Sequence, residues 1–406
     1  MRRLALLLKL ALRNVFRNRR HTAYALATLA AGATALFVFM GFNRGLMNQY
    51  RENTIHARWA HGQVSTLGYQ GQAHADPVEN WIEHPDRVLI QLRALPGVVD
   101  VFPRVSLPAI LVARGRAIAG QGQGLDGTAE KGFFTQLNYV DGGEWQGGTA
   151  GIVLGRDLAQ GLGVEVGDHL QVVVSNAAAG TRSATLPVTG IFHSGSHEFD
   201  SQVFRLPLNI AQGLLGSYRV ETFAVALAGV EQWPTFAQAV RTAMPGLEAF
   251  SFEELDAVYY GHAVDWLDAQ FSVVRAILLL MVFLATFNVI SSTVLERTAE
   301  IGTLRANGDS RAAIIFEHTL EAVVLGVIGV LIGLLGGWFL AAGPLREGIS
   351  MPPAPGITRS FRVLLELSPQ DALQVLSLCV ATAVAGCLLP AWRVACMPIT
   401  KALRHV

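Results

Sequence analysis

Four long apolar runs interrupt an otherwise mixed chain, at Thr22–Phe42, Ala276–Leu295, Ala322–Pro344 and Ala372–Trp392. About twenty such residues suffice for a helix to cross a hydrocarbon core of ~30 Å. The pattern therefore predicts transmembrane helices at 22–42, 276–295, 322–344 and 372–392. Between the first two runs the periodicity changes to short alternations and amphipathic stretches. Strands are expected at His61–Leu67, Val98–Arg104 and Pro108–Ala113, a helix at Pro85–Leu95, and a turn-rich loop at Gly120–Gly127. From Gly151 the stretch IVLGRDLAQGLGVEVGDHLQVVV reads as strand, short helix, turn and strand, with a further strand at Ser183–Val188. Thr222–Leu227, Glu231–Met244, Leu247–Phe252 and Glu253–Asp268 then predict strand, helix, strand and helix, the last running on into the second span. This order fits a split α+β domain, at 48–140 and 218–265, interrupted by a small β-domain at 141–217.

The composition, 51% hydrophobic and 15% charged, is too apolar for a soluble chain and too polar for a wholly embedded one. A net charge of zero hides a division by segment. Residues 1–21, 296–321 and 393–406 hold thirteen basic and five acidic side chains, and the loop 43–275 holds fifteen basic and twenty-three acidic. Basic flanks stay on the cytoplasmic side. Both termini and the segment 296–321 are thus placed inside, and 43–275 and 345–371 outside. Cys379, Cys387 and Cys396 all fall in or just after the last apolar run, so no disulfide framework is implied for the loop. The first run is longer than the roughly 7–15 residues of a signal-peptide core, and reads as an uncleaved anchor.

Several smaller patterns bear on the membrane part. Leu4, Leu7, Leu8, Ala11, Leu12, Val15 and Phe16 recur at helical spacing among Lys9, Arg13, Arg17 and Arg20. They suit a basic amphipathic helix over 1–21 lying in the inner interface, or a plain extension of the first span. Ala23, Ala27, Ala31 and Ala35 repeat at intervals of four, as do Gly329, Gly333 and Gly337. Small residues so spaced let helices approach closely, although Ala and Gly are also simply common in spans. Asn288 places an amide in hydrocarbon, where it seeks an interhelical partner. In 345–371, the prolines of Met351–Gly356 stiffen an extended connection.

The connection Leu295–Arg311, LERTAEIGTLRANGDSR, is charged and lies between two spans. Glu296 and Glu300 stand one turn apart, a repulsion of roughly 0.2–0.5 kcal/mol that Arg297 and Arg305 offset in part. Charge alone fits either a helix meeting a basic partner or an ordinary solvated loop. Glu296, Arg297, Glu300, Ile301, Gly302, Leu304, Arg305, Ala306 and Gly308, followed by the Glu321-Ala322 pair, resemble the motif E-R-x-x-E-I-G-x-L-R-A-x-G of FtsX-like/MacB-like ABC transporter permeases. Gly155, Leu158, Ala159, Leu162, Gly163, Gly167 and Asp168 resemble that family's inserted periplasmic β-domain. The tail PAWRVACMPITKALR, broken at Pro398, resembles its closing segment.

The resemblance implies an α-helical inner-membrane protein with four transmembrane helices plus a large α+β extracytoplasmic domain, its split part porter-like. By the same likeness it works by mechanotransmission (type VII), and Glu296 to Gly308 dock on a separate cytoplasmic ABC ATPase dimer that binds the ATP and Mg. A second permease copy is implied, in a homodimer or a related heterodimer, with a periplasmic carrier or adaptor. The layout is that of the LolC/LolE lipoprotein-releasing permeases, and also resembles MacB-like export through an outer-membrane channel and FtsX-like control of cell-wall hydrolases. A lipid-handling role would use Phe39, Phe42, Leu46, Met47, Trp266 and Phe271 at the outer ends of the first two spans. Aromatics there are equally routine interface anchors.

Enzyme chemistry finds little support. The only lysines are Lys9, Lys131 and Lys401, and none follows a glycine, which rules out a G-x-x-x-x-G-K-[ST] phosphate loop. Neither H-E-x-x-H nor G-x-S-x-G occurs. Gly120-x-Gly122-x-Gly124 lacks the context of a dinucleotide fingerprint and reads as a loop. His193, His197 and Asp200 could ligate zinc or sit in a polar turn. No cofactor and no nucleic-acid partner is expected for the chain itself.

Overall fold

The computed structural model describes residues 19–69, 80–135, 138–143, 151–176, 180–194, 196–257, 261–352 and 361–398. The amphipathic segment expected at 1–21 falls outside the described residues up to position 18, as do the prolines at 353 and 355 and the tail beyond Pro398. The chain divides into two compact units, one of residues 1–48, 264–350 and 362–406, the other of residues 49–263 and 351–361.

The first unit contains four helices long and apolar enough to cross a membrane. They span Arg19–Thr54, His262–Glu296, Arg311–Ala342 and Pro369–Cys396, each longer than its apolar run because polar flanks continue the helix until a cap stops it. Ser310 and Ser368 accept from the backbone N–H of Ala313 and Gln370 and fix the starts of the third and fourth helices. The segment 296–321 is therefore two elements: a short inner helix, Thr298–Ala306, and the first turns of the third span.

Glycines seat the third span on the first. A Cβ at Gly329 would lie 2.7 Å from Leu29, at Gly333 2.6 Å from the Ala30 carbonyl, and at Gly337 2.8 Å from the Phe37 ring. Thr34 Oγ1 also donates to the Gly333 carbonyl at 2.8 Å. The alanine repeat does not share this role. Ala27 and Ala31 lie on the exposed face of the first span, while Ala25, Leu29, Ala33 and Leu36 are buried. Spacing was right for a seam, but the helix turns its larger apolar side chains into the glycine grooves. Asn288 is likewise exposed, and the second span buries Val282, Thr286, Ile290 and Val294 instead.

Among the described residues, the second unit is built on one ten-stranded sheet. Its strands are β1 (Gly62–Thr66), β2 (Val98–Ala113), β3 (Arg116–Leu125), β4 (Asn138–Gly142), β5 (Ile152–Gly155), β6 (His169–Asn176), β7 (Gly180–His193), β8 (Val203–Pro207), β9 (Thr222–Leu227) and β10 (Leu247–Ser251). The order is β10-β1-β9-β2-β3-β8-β5-β7-β4, with β6 on β2 and β7. β2 is one strand of 16 residues, roughly 50 Å long, where two strands were expected. Its start, Val101, packs with Val64, Phe223, Val225, Trp233 and Phe236, and its end, Leu107–Ala113, with Leu154, Leu170, Val172 and Phe204. The two halves of the domain thus share a strand, and the sheet of the inserted part takes in 105–125 as well as residues after 141.

Gly120–Leu125 is also strand, not loop. β3 pairs along β2 from Arg116 to Gly124. Its glycines leave a flat surface for neighbours: a Cβ at Gly122 would come within 2.6 Å of the Phe204 ring and 2.8 Å of Leu107. The helix expected at Glu253–Asp268 is broken. A capping box between Ser251 and Glu254 starts a single short turn, Phe252–Leu255, Ala257 and Gly261 are in π-helical geometry, and the α-helix of the second span runs from His262.

Between the two halves, Arg104 and Glu130 form a buried two-bonded ion pair at 2.7 Å for each bond, with the guanidinium 4.2 Å from the Phe134 ring centre. Nearby, the Leu227 N–H donates to His61 Nδ1 at 3.2 Å, and burial pushes the His61 pKa down. The unfolded chain therefore takes up this proton first, near the ordinary value of about 6.5. Stability falls as pH drops below that value and levels off below the folded pKa. Thermal unfolding of the purified chain should show the advantage of wild type over His61→Gln narrowing between pH 7 and 5. Gly122→Val should cost about 1–3 kcal/mol by overpacking, read as a lowered unfolding midpoint at every pH.

Candidate functional site

The second span ends at Glu296, and Arg297 leaves helical geometry with φ −90° and ψ 10° before the inner helix begins. The turn brings the Arg297 side chain inward. Its NH1 donates to both carboxylate oxygens of Glu321 on the third span, at 3.2 and 3.3 Å. His318, one turn earlier, places Nδ1 3.3 Å from the same carboxylate. Only 14%, 10% and 11% of the Arg297, His318 and Glu321 side chains are exposed, so each charge depends on the other. The Cys387 thiol of the fourth span donates to the His318 carbonyl at 3.4 Å. A cavity of about 40 Å³ lies among Arg297, His318, Glu321, Cys387, Thr22 and Thr293, room enough for water.

Two further contacts seat the inner helix. Ile301 is buried with Ile290, Val294, Ile314, Val394 and Ala395, and Arg305 NH1 donates to the Met397 carbonyl at 2.6 Å. The helix stops at Gly308, whose φ of +103° is a conformation other residues resist. Ser310 restarts the chain as the third span two residues later. Second span, inner helix and third span are thus joined by two short, defined turns.

The motif residues separate into two faces. Arg297, Ile301, Gly302 and Arg305 face the bundle, while Glu296, Glu300, Leu304 and Gly308 are exposed. Sequence reasoning placed Glu321 beside the motif but did not pair it with Arg297, and it missed His318. The signal was available, because a carboxylate abutting an apolar run needs a partner.

Other candidate residues fall elsewhere. Phe39 and Phe271 meet edge to face with ring centres 5.7 Å apart. Phe42, Leu46 and Met47 are half-buried on the first span, and Trp266 is 62% exposed. The two histidines go to different carboxylates: His193 Nδ1 lies 2.5 Å from buried Asp200, and His197 Nδ1 2.5 Å from Asp157. Asp200 also accepts from the N–H and hydroxyl of Ser194, which makes it the anchor of the turn. Among the described residues no three His, Cys, Asp or Glu side chains are grouped to hold a metal ion.

Four spans, a large α+β extracytoplasmic domain and a braced inner helix with an acidic outer face define a multi-pass permease-type membrane protein. Residues 22–243 match the MacB-like periplasmic core domain and residues 272–399 the FtsX-like permease C-terminal. The chain belongs to this FtsX/MacB-like family of ABC-transporter permease subunits, which are non-catalytic and reside in the inner membrane. It is similar to the lipoprotein-releasing system transmembrane protein LolC of Xylella fastidiosa (strain Temecula1 / ATCC 700964), at 24% identity over 93% of this chain and 92% of that protein. LolC of Neisseria meningitidis serogroup B is 25% identical over 79% of this chain and 76% of its own length. The periplasmic region of MacB from Actinobacillus actinomycetemcomitans overlaps half of this chain (50%) and 93% of its own, at 10% identity and a TM-score of 0.37, too loosely to bear on the fold.

Removing one partner of a buried pair strands the other charge, at about 3–5 kcal/mol. Glu321→Gln and Arg297→Met should each lower the unfolding midpoint of the detergent-solubilised chain strongly. The double variant should lose less than the sum of the two, and a sum that holds would show the pair to be uncoupled.

Proposed function

We propose that the chain transmits ATP-driven movement from a separate cytoplasmic ABC ATPase dimer to its outer domain, and that this movement draws lipoprotein or lipid out of the outer leaflet of the inner membrane. The observation that carries the first part is the exposure of Glu300 and Leu304 on the inner helix, with Glu296 and Gly308 at its two ends, while Arg297, Ile301 and Arg305 pin its other side to the third and fourth spans. A helix so held moves only with the bundle, so a partner gripping its acidic face acts on the spans. ATP and Mg belong to that partner. A second permease copy, identical or related, fits the exposed small-residue face of Ala23, Ala27, Ala31 and Ala35.

The likeness to LolC proteins along most of their length supports lipoprotein or lipid as the cargo. The outer ends of the first two spans, with Phe39, Phe42, Leu46, Met47, Trp266 and Phe271, supply the apolar contacts such cargo needs. A periplasmic carrier or adaptor would receive it.

Charge reversal on the exposed face is the direct test. Glu300→Lys should leave insertion and folding intact and reduce stimulation of the co-expressed ATPase about tenfold, the equivalent of ~1.4 kcal/mol of interaction. Undiminished stimulation rejects the docking face. For the cargo, spheroplasts depleted of the chain should retain acylated lipoprotein in the inner membrane. Normal release, with export of a soluble peptide impaired instead, would favour a MacB-like role.

A further inference from the structure

At 36 residues the first span helix is roughly 54 Å long, well beyond a ~30 Å hydrocarbon core, so its outer turns continue past the membrane. Gly41, Arg44, Gly45 and Asn48 are spaced i, i+3, i+4 and i+7 on those turns and share one face. All four meet the segment that leads into the fourth span. The Gly41 carbonyl accepts from the Glu366 N–H at 3.1 Å. Arg44 makes a two-bonded fork on Asp371, Nε to Oδ2 and NH2 to Oδ1, both at 2.8 Å. Asn48 Nδ2 donates to the Glu366 carboxylate. At Gly45 the approach is closest, since a Cβ there would stand 1.8 Å from the Leu364 carbonyl oxygen.

Asp371 is buried, with 6% of its side chain exposed. It lies in the first turn of the fourth helix, after the Ser368 cap and Pro369, where a helix N-terminus favours a carboxylate. Its position is therefore set by its own helix, and the guanidinium fork fixes both distance and angle to the first span. The long seam between the first and third spans differs in kind. It is glycine against apolar side chains, and beyond the Thr34 bond it offers little to resist sliding.

We propose that Arg44 and Asp371 are positioning residues that lock the outer end of the first span to the start of the fourth, so that displacement at the inner end of the fourth span is delivered to the first. The inner end already receives the inner helix, through Arg305 on the Met397 carbonyl and Ile301 among Val394 and Ala395. The fourth span acts as a strut between these two attachments, and the least buried helix, the second span, is not required to carry the load. This role rests on the proposed coupling to an ATPase, whereas the lock itself does not.

The test uses the full chain in lipid nanodiscs, with native cysteines replaced and spin labels at positions 47 and 373. Wild type should give one narrow distance distribution. Arg44→Ala and Asp371→Ala should each at least double its width, and the exchanged pair R44D/D371R should narrow it again, a rescue that damaged folding cannot produce. Gly45→Ala, which leaves the charges in place, should shift the mean distance. Unchanged widths in both single variants overturn the lock. With the co-expressed ATPase bound, the single variants should keep ATP hydrolysis and lose at least tenfold in lipoprotein release, with recovery in the exchanged pair. Release that persists in Arg44→Ala overturns the delivery role. A wild-type chain that recruits no ATPase strikes the proposed function instead, and the distance widths still decide the lock.

Discussion

The membrane unit depends on how Arg297 and Glu321 are held. Neither charge is tolerable alone at the edge of hydrocarbon, and the pair is worth little as net stabilisation, because desolvation consumes most of the attraction. What it does is fix geometry. The guanidinium can reach both carboxylate oxygens only if the turn after the second span has one shape, and that shape sets the direction of the inner helix. His318 and the Cys387 thiol extend the constraint to the third and fourth spans. An acidic face is thereby presented by a rigid element, where a flexible loop with the same charges would spend any applied force on its own rearrangement.

The outer unit solves a related problem with a shared strand, although it too buries charge, at Arg104, Glu130, Asp200 and Arg205. A single long strand, β2, belongs to both hydrophobic cores, pairing with β9 over Val98–Arg104 and with β3 over Val105–Ala113, so neither half of the domain can rotate without bending it. The Arg104–Glu130 pair sits close to the point where one core gives way to the other, with the Phe134 ring covering the guanidinium. A split domain with an insertion is usually pictured as two bodies and a hinge. Here the shared strand makes the insertion an extension of the same sheet, with β2 exchanging β9 for β3 between Arg104 and Val105.

The spans and their sidedness were legible in the sequence because each rests on local composition: apolar length and the Lys/Arg bias. The third-span glycines were legible for a physical reason as well, since a Cβ at Gly329, Gly333 or Gly337 would stand only 2.6–2.8 Å from an atom of the first span. The alanine repeat does not mark a seam within this chain, because a methyl group neither demands nor forbids a neighbour, and Ala27 and Ala31 face outward. Gly120–Gly124 misled in the opposite direction. Glycine weakens an isolated strand, but the Phe204 ring and Leu107 occupy the space its missing side chains leave, and that compensation lies 82 residues away in the chain for Gly122 and Phe204. The Arg44–Asp371 pair escaped notice for the same reason, since partners 327 residues apart leave no local trace, whereas Glu321 at the head of an apolar run signals the need for a partner without naming Arg297.

The two ion pairs place hydrogen-bonded, angle-defining contacts at opposite ends of the bundle, and apolar seams between them. Apolar contact is non-directional and scales with area, so helices joined only by such seams can slide or roll at modest cost. The Arg44 fork tolerates neither motion, and Arg297 NH1, shared between both Glu321 oxygens, restricts them at the other end. Directional contacts at the ends with permissive packing in the middle give a bundle that moves as connected struts, in which the ends keep register while the interior accommodates tilt. A uniformly tight interior would resist movement altogether, and a uniformly apolar one would dissipate it. The distribution of charge along these spans is therefore suited to the proposed transfer of displacement between the two ends of the bundle.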